Sequence, residues 1–327
     1  MRTDWRRRRP GLLLVVTSFL ALALIVGTVL FLHARSQAPG QADNPFALRS
    51  VYVDPAAKVS VAAQGAAGNE GELLRRLAAV PTGIWLTPEE QPAGQVGSRV
   101  KGVAEAAHER KEVAVFVVYG ITQRDCTAGE SSGGLPAGEY AEWVREIASA
   151  AGPWTVAILE PDALASAQEC DLVEQRVQAL SEAVEELREA DVTTYIDAGH
   201  SNWTEPVEMA DLLDRVGVES VRGFATNTSA FGTNAEEVAY ARQVASHLDG
   251  AHFVVDSSRN GAGGNGEWCN PQGRAVGTKP GYVDDGGLDA YLWIKPPGES
   301  DGECNGGPAA GAWSTDLALD LVRNAEW

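Results

Sequence analysis

Histidine and cysteine are scarce in this chain, which limits the metal chemistry that it could carry. Of five histidines among 327 residues, none stands in an H-x-H or H-E-x-x-H spacing, and only His200 follows the carboxyl end of a predicted strand. Zinc sites are commonly built from such closely spaced ligands. The four cysteines are better used as disulfides than as ligands or nucleophiles. We therefore expect neither a metal site nor another cofactor.

Long apolar runs are also rare, and the single one lies near the N-terminus. Residues 11–32 are uncharged and mostly apolar, and Arg6 to Arg9 precede them. A run of 22 such residues is long enough to cross a bilayer, and the arginines favour a cytoplasmic N-terminus. Residues 1–37 are thus predicted to be a basic region with either a signal peptide, cleaved near Ser36-Gln37-Ala38, or a signal anchor. In both cases the remainder would be extracellular, either secreted or held at the outer face of the cytoplasmic membrane.

The composition predicts one large acidic domain after this segment. A short linker rich in Pro, Gly and Gln, residues 38–44, leads into residues 45–327, which show no second break in composition. The net charge of the whole chain is −19 although its N-terminus is basic. Such a surface repels nucleic acid and anionic lipid. We expect a monomer that does not bind nucleic acid.

Four cysteines in an exported chain suggest two disulfides, with three possible pairings. Cys126 and Cys170 follow consecutive predicted strands, and so do Cys269 and Cys304. Pairing each cysteine with its neighbour in sequence ties adjacent loops without crossing the domain. We expect the bridges Cys126–Cys170 and Cys269–Cys304.

Short apolar runs rich in β-branched and aromatic residues alternate with amphipathic helical stretches, as in a parallel sheet flanked by helices. The predicted strands are 83–87, 113–119, 154–160, 193–197, 221–226, 252–256 and 289–295, and the main predicted helices are 97–110, 138–150, 172–190, 206–215, 235–249 and 315–324. An open doubly wound sheet and a closed barrel both satisfy this α/β pattern. No G-x-G-x-x-G follows the first strand, which weakens the dinucleotide-binding version.

Polar residues at the carboxyl ends of these strands favour a TIM-like β/α barrel, because those ends converge on one mouth. They are Tyr119, Arg124, Asp125, Glu160, Asp162, Asp197, His200, Asn227, Asp256, Arg259, Lys295, Glu299 and Asp301. Enzymes that hydrolyse glycosidic bonds usually use two carboxyl groups at one active site. Trp85, Trp203 and Trp268 fall on the same side, where their indole rings could stack on sugar rings.

Several segments resemble glycoside hydrolase family 6, the cellulases. The two signature stretches are matched by Val118-Tyr119-Gly120-Ile121-Thr122-Gln123-Arg124-Asp125-Cys126 and by Ile158-Leu159-Glu160-Pro161-Asp162-Ala163-Leu164. Further matches occur in the family's order at residues 197–203, 225–229, 256–261, 267–271 and 293–302, and together they span nearly the whole domain.

The resemblance implies a distorted parallel barrel of seven strands that hydrolyses β-1,4-glucan with inversion. By this resemblance Asp162 is the general acid, Asp125 keeps that acid protonated and helps to hold the water, Asp301 is a candidate base, and Tyr119 presses on the distorted sugar. The substrate-binding residues that it implies are Trp85, Arg124, His200, Trp203, Asn227, Trp268, Lys295 and Glu299. The expected partner is amorphous or soluble cellulose, or mixed-linkage glucan.

The loops that would cover the cleft predict cleavage within the polymer. The loop 126–136 has eleven residues with three glycines, and the loop 296–312 is held back by the Cys304 bridge. Neither is expected to roof the site, so an endoglucanase is predicted. The alternatives are a chain-end-cutting cellobiohydrolase and a non-catalytic cell-envelope protein that only binds polysaccharide on the same barrel.

Overall fold

Strands and helices alternate along the described part of the chain, residues 39–325 of a computed structural model. The strands are β1 (Ile84–Leu86), β2 (Ala114–Val118), β3 (Thr155–Leu159), β4 (Thr193–Asp197), β5 (Gly223–Thr226), β6 (His252–Asp256), β7 (Gly281–Asp285) and β8 (Leu288–Leu292). The helices are α1 (Pro39–Ala42), α2 (Lys58–Gly65), α3 (Gly68–Ala78), α4 (Val96–Arg110), α5 (Ala137–Ala151), α6 (Val173–Glu189), α7 (Pro206–Val216), α8 (Asn234–Ala245) and α9 (Thr315–Arg323). All seven predicted strands and all six predicted helices are present.

The strands form one curled sheet of eight strands in the order β1-β2-β3-β4-β5-β6-β8-β7. The pairs from β1 to β6 and the pair β6–β8 are parallel, whereas β7 pairs with β8 in the antiparallel direction. Strand β7 was not predicted. Its hairpin turns through Gly286 and Gly287, both at positive φ, as tight hairpin turns require.

The predicted α/β class with a mostly parallel sheet is confirmed, but the expected distorted barrel of seven strands was wrong in its strand number and in being a barrel. In the sheet order β1 and β8 are not neighbours, so the sheet is a curled half-barrel. The backbones of its two sides meet where the Gly83 amide donates to the Trp293 carbonyl at 2.7 Å, and the Trp85 indole donates to the Ile294 carbonyl beside it at 2.9 Å. A Cβ on Gly83 would lie 2.4 Å from the Ile294 carbonyl oxygen, so this approach requires glycine. β1 spans only three residues, and β8 ends before Trp293, so no ladder forms between them.

Alternating side chains of the strands fill two cores. Val115, Val117, Val156, Ile158 and Val254 belong to the cluster inside the curl. Their neighbours along the strands, such as Phe116 and Leu159, pack outward with the helices. Both faces of the central strands are therefore buried, which explains their continuous apolar sequences.

The floor of the half-barrel is closed by a buried polar cluster. Arg222 pairs with Asp289 through two hydrogen bonds of 2.7 and 2.8 Å, and Tyr195 donates to the same carboxylate at 2.6 Å. Gln41 is also buried there, accepting from the Thr194 and Arg222 amides at 3.0 and 3.1 Å. The stretch predicted as a linker, 38–44, is thus part of the folded unit from residue 39, because its side chains satisfy strand ends that a linker would leave exposed.

The predicted membrane or signal segment, residues 1–37, lies outside the described residues. Within residues 39–325, no helix has the length and apolar character needed to cross a membrane.

Candidate active site

The strand ends gather the predicted carboxylates at one mouth, in loops with an unusual backbone. Asp125 and Asp162 have φ values of 51° and 67°, and Gln123 and Glu160 are also left-handed at 53° and 51°. Non-glycine residues adopt this conformation rarely and at some cost, and aspartate tolerates it better than most. The two loops after β2 and β3 are therefore held in specific shapes by their surroundings.

Asp162 lies beside a second carboxyl group, that of Asp197. The Asp162 amide donates to Asp197 Oδ1 at 2.9 Å, and the Gly199 amide donates to the same atom at 2.9 Å. Asp162 keeps partial exposure to the mouth, whereas Asp197 is buried. Burial, then Asp197, then Asp125 hold the pKa of Asp162 well above its usual range. Burial also raises the pKa of Asp197, to about 6.

Asp125 is linked to Tyr119 through Ser131. Asp125 Oδ2 accepts from the Ser131 amide at 2.6 Å and from its hydroxyl at 3.1 Å, and Ser131 Oγ lies 2.8 Å from the Tyr119 hydroxyl. Burial, with Asp162 next, raises the pKa of Tyr119 above its ordinary value. The tyrosine is therefore neutral and able to donate.

Asp301 is a buried carboxylate surrounded by cations. Arg259 Nη1 contacts both of its oxygens at 2.9 Å, Lys295 Nζ lies 3.7 Å away, and the Asn270 amide donates at 3.0 Å. Burial alone would raise the pKa of Asp301, but Arg259 and Lys295 outweigh it and lower the pKa below its usual value. Asp301 is thus an ionised group whose two oxygens are already engaged.

The predicted sugar platforms all lie at the mouth. Trp85 stands edge-on to Tyr119 with ring centroids 5.2 Å apart, and Lys295 Nζ lies 5.2 Å from the Trp85 ring centroid. Trp203 donates to Glu169 at 2.7 Å and lies 5.4 Å from the His200 ring. Trp268 is 55% exposed, as a surface for stacking must be.

Glu299, a predicted polar contact, is mostly enclosed and lies next to a lysine that was not predicted. Lys58 Nζ lies 3.7 Å from Glu299 Oε2, 3.4 Å from Glu90 Oε1 and 2.8 Å from the Gly311 carbonyl. Burial raises the pKa of Glu299, while Lys58 and Lys295 oppose the rise. Lys58 lies at the start of α2, in a region for which the sequence motifs gave no signal.

Two of the predicted substrate contacts are engaged elsewhere. Arg124 is buried, donating to the Ser131 and Tyr119 carbonyls and pairing with Glu89 at 2.9 Å. Asn227 is fully buried, and its amide group bonds the backbone of Gly232 and Asp256. Both side chains therefore hold loops in shape instead of facing a ligand. Their hydrogen-bonding groups contact the backbone and, for Arg124, also the Glu89 carboxylate.

Two serines at the mouth stand in G-x-S-x-G segments, residues 129–133 and 298–302. Both segments are loops, whereas a nucleophilic serine needs a sharp turn from strand to helix. Ser131 bonds Asp125 and Tyr119, and Ser300 Oγ donates to the Pro308 and Gly302 carbonyls. The hydroxyl groups of Ser131 and Ser300 therefore stabilise the loops through hydrogen bonds.

The structure also brings in Glu160 and Arg176, whose positions the sequence pattern did not single out as functional. Both are buried behind Asp125 and Asp162. Glu160 was noted only as a polar residue at a strand end, and Arg176 lies in a helix where an arginine is expected to be solvent-exposed.

Both predicted disulfides are present, Cys126–Cys170 and Cys269–Cys304. The first joins the loops that carry Asp125 and Asp162, and the second joins the loop of Trp268 to that of Asp301. Among residues 39–325, no group of three or more metal-ligating side chains is arranged to hold a metal ion.

The two loops expected to leave the cleft uncovered touch each other. Glu130 Oε2 accepts from the Glu303 amide at 2.8 Å, and a Cβ placed on Gly302 would lie 2.6 Å from Glu130 Cβ. The loops therefore meet at one exposed contact, which loop length alone did not predict. Glu130 and Glu303 are both exposed, so their hydrogen bond lies in water.

Known proteins share this architecture and sequence. The family model for glycosyl hydrolases family 6 matches residues 46–325. The chain is 43% identical over 290 residues to Endoglucanase A of Cellulomonas fimi, covering 84% of this chain and 61% of that protein, less than two thirds of its length. It is 32% identical over 271 residues to the 1,4-beta-D-glucan cellobiohydrolase CEL6B of Podospora anserina, covering 66% of this chain and 65% of that protein.

A solved structure is also similar to this chain in fold and sequence. The endoglucanase Cel6 from Mycobacterium tuberculosis, in complex with methyl-cellobiosyl-4-deoxy-4-thio-β-D-cellobioside, is 40% identical with a TM-score of 0.82, over 87% of this chain and 100% of that one. The match to the family model covers most of the described fold, including all the residues of the mouth. The chain therefore belongs to glycosyl hydrolases family 6, as its motifs predicted, and is a glycoside hydrolase.

Proposed function

We propose that this protein hydrolyses internal β-1,4 bonds of glucan with inversion, using Asp162 as the general acid. The observation that carries the proposal is the raised pKa of a partly exposed Asp162, caused by burial, Asp197 and Asp125. A general acid must hold its proton near the working pH until the leaving oxygen takes it. The Cellulomonas and Mycobacterium relatives, described as endoglucanases, support the substrate class.

Asp162 protonates the glycosidic oxygen while water attacks the other face of the sugar. Asp301 is a poor acceptor for the proton of that water, since Arg259 and Asn270 occupy its oxygens. Its negative charge instead holds Lys295 and Arg259 beside the mouth. Asp125 is the partly exposed carboxylate next to the acid, and Ser131 and Tyr119 connect it to the sugar platform. It is the better candidate for receiving a proton.

Cleavage at chain ends is the second candidate, and the contact between Glu130 and Glu303 favours it. A closed pair of loops would admit a chain only by threading. Against this, the contact is one hydrogen bond between exposed groups, which contributes little in water. We propose that internal stretches of glucan enter when this bond opens.

We also propose an exported protein that acts as a monomer on neutral glucan. Two disulfides support an oxidising compartment outside the cytoplasm. The net charge of −19 disfavours nucleic acid as a partner and does not hinder a neutral sugar.

Four experiments test the function, three on the wild-type protein and one on a variant. Reducing sugar should be released from carboxymethylcellulose and barley glucan, but not from xylan. NMR of fresh product should show the α-anomer first, whereas an initial β-anomer would contradict inversion. Asp162→Ala should abolish cleavage of unactivated glucan, with oligosaccharide binding retained, and near-wild-type turnover in that variant would end the assignment. A steep early fall of viscosity per bond cut supports internal cleavage, and a slow fall with mainly cellobiose would favour chain-end action.

A further inference from the structure

Behind the mouth lie two buried ionisable residues that the proposed chemistry does not use, Glu160 and Arg176. Each is 1% exposed. Buried charges require specific partners, because an unpaired one costs several kcal/mol. Apart from Tyr140, which interacts with Glu160, the partners of both residues lie in the two loops that carry Asp125 and Asp162 or directly beside them.

Glu160 lies two residues before the acid and holds the loop after β2. Its Oε1 accepts from the Gly120 amide at 2.8 Å, and its Oε2 accepts from the Ile121 amide at 3.1 Å. These amides directly follow Tyr119. The Glu160 amide in turn donates to the Val118 carbonyl at 2.9 Å. The starts of both loops are thus fastened to each other.

Arg176 fastens the same two loops further along. Its Nη1 donates to the Ala163 carbonyl at 2.5 Å and to Ser166 Oγ at 2.6 Å. Its Nη2 donates to the Gln123 carbonyl and lies near Cys126 Sγ, both at 3.0 Å. One guanidinium therefore holds the chain beyond the acid and on both sides of Asp125.

Each catalytic candidate consequently sits between two fixed points. Asp162 lies between Glu160 and Ala163, and Asp125 lies between Gln123 and Cys126. The left-handed backbone at Asp125 and Asp162 persists only where the surroundings enforce it. We propose that Glu160 and Arg176 are positioning residues that clamp the two loops and fix the spacing of Asp125 and Asp162.

The inference rests on the proposed role of Asp162 and predicts an effect that fold stability alone would not give. Burial, Asp197 and Asp125 raise the pKa of Asp162, while Lys295 and Arg176 lower it. If the loops loosen, Asp125 moves away and the acid loses its proton at lower pH. A merely structural residue would lower the melting temperature and leave the pH profile unchanged.

The test is Glu160→Gln, which keeps the shape but turns an NH₂ group toward one of the two backbone amides. We expect kcat on carboxymethylcellulose to fall at least tenfold, KM to change less than twofold, and the alkaline limb of the kcat profile to move to lower pH. Glu237→Gln is the matched control, because Glu237 is equally buried and accepts from Ser201 at 2.7 Å, away from both loops. Its alkaline limb should stay at the wild-type position.

A wild-type rate and limb in Glu160→Gln would overturn the clamp, and so would a lowered melting temperature with an unmoved limb. If Glu160→Gln does not fold, Arg176→Lys tests the clamp instead. A lysine cannot reach both loops, so the alkaline limb of kcat in Arg176→Lys should also move to lower pH. An unmoved limb in Arg176→Lys would equally overturn it. Asp162→Ala is measured in parallel: activity there refutes the acid assignment, whereas an inactive Asp162→Ala beside a wild-type Glu160→Gln refutes only the clamp.

Discussion

The backbone amide of Asp162 donates a 2.9 Å hydrogen bond to the carboxylate of Asp197. The acid and its neighbour on β4 are therefore coupled in two ways. The Asp197 oxygen fixes the backbone of the acid loop, and its charge is the largest after burial in raising the pKa of Asp162. A single side chain thus sets both the place and the proton affinity of the acid.

Replacing Asp197 by asparagine separates these two effects. Asparagine keeps an oxygen for the Asp162 and Gly199 amides but removes the charge. The pKa of Asp162 should fall, so the alkaline limb of kcat should move to lower pH while ligand binding stays near wild type. A kcat profile measured between pH 4 and 9 checks this, and an unchanged limb would show that the charge of Asp197 does not reach the acid.

Asp301→Asn should reduce both activity and stability. The substitution leaves Arg259 and Lys295 buried without their anion, and breaking such a pair costs about 3 to 5 kcal/mol. We expect kcat to fall at least tenfold together with a lower melting temperature. Added azide should not restore the rate, because Asp301 is not placed to accept the proton of the water. Recovery of activity with formation of an α-glycosyl azide would instead identify Asp301 as the base.

Stability should rise on mild acidification. Glu237 and Glu160 are buried carboxyl groups whose pKa values are raised by burial to about 7. A raised pKa contributes stability that is complete below the unfolded value and is lost as the pH rises through about 7. The melting temperature should therefore increase from pH 8 to pH 5. In Glu237→Gln the change in melting temperature between pH 8 and pH 5 should be smaller. The free energy of unfolding that the variant no longer gains on acidification is roughly 3 kcal/mol at most. An equal slope in wild type and variant would contradict the assignment.

Acid unfolding should involve a different group of carboxylates. The pKa of Asp289 lies below its usual value: burial would raise it, but Arg222 and His252 outweigh that effect. Asp301 behaves in the same way beside Arg259. Their contribution is present above about pH 4 and is lost below it, so the stability curve should pass through a maximum in the mildly acidic range.

Opening the contact between the two loops should change which substrates are favoured. Glu130→Ala removes the acceptor for the Glu303 amide, while Glu130→Gln keeps one. We expect the alanine variant to act severalfold faster on carboxymethylcellulose relative to cellohexaose, and the glutamine variant to match wild type. The ratio of initial rates on the two substrates is the measurement. Identical ratios in all three proteins would show that the contact does not limit entry of the polymer.

The sequence predicted the elements well where apolar runs carry the signal. β2 and β3 are buried on both faces, and their sequences, Ala-Val-Phe-Val-Val and Thr-Val-Ala-Ile-Leu, are apolar almost throughout. β7 was missed because Gly281–Asp285 is short, acidic and lies at the sheet edge. Closure was mispredicted because the contact of Gly83 with Trp293 is a single hydrogen bond that leaves no pattern in the chain.

Motifs predicted which residues reach the mouth, but not which way each one points. Asp125, Asp162 and Trp85 all reach the mouth of the half-barrel. Arg124 and Asn227 occupy the right loops, yet their side chains turn back to the backbone, and side-chain orientation is decided by packing that spacing does not encode. Lys58 comes from a helix more than 200 residues away in sequence from Glu299. Contacts between residues so far apart in sequence become visible only in the folded structure.

Gln41 has a practical bearing on where the domain is taken to begin. The family match starts at residue 46, and a shortened chain designed on that boundary would lack the side chain that caps the Thr194 and Arg222 amides. Those strand ends would then open to water beneath the half-barrel, on the side away from the sugar platforms. Purification tags and surface tethers placed before residue 39 leave Gln41 in place, and they join the molecule on the side opposite the mouth.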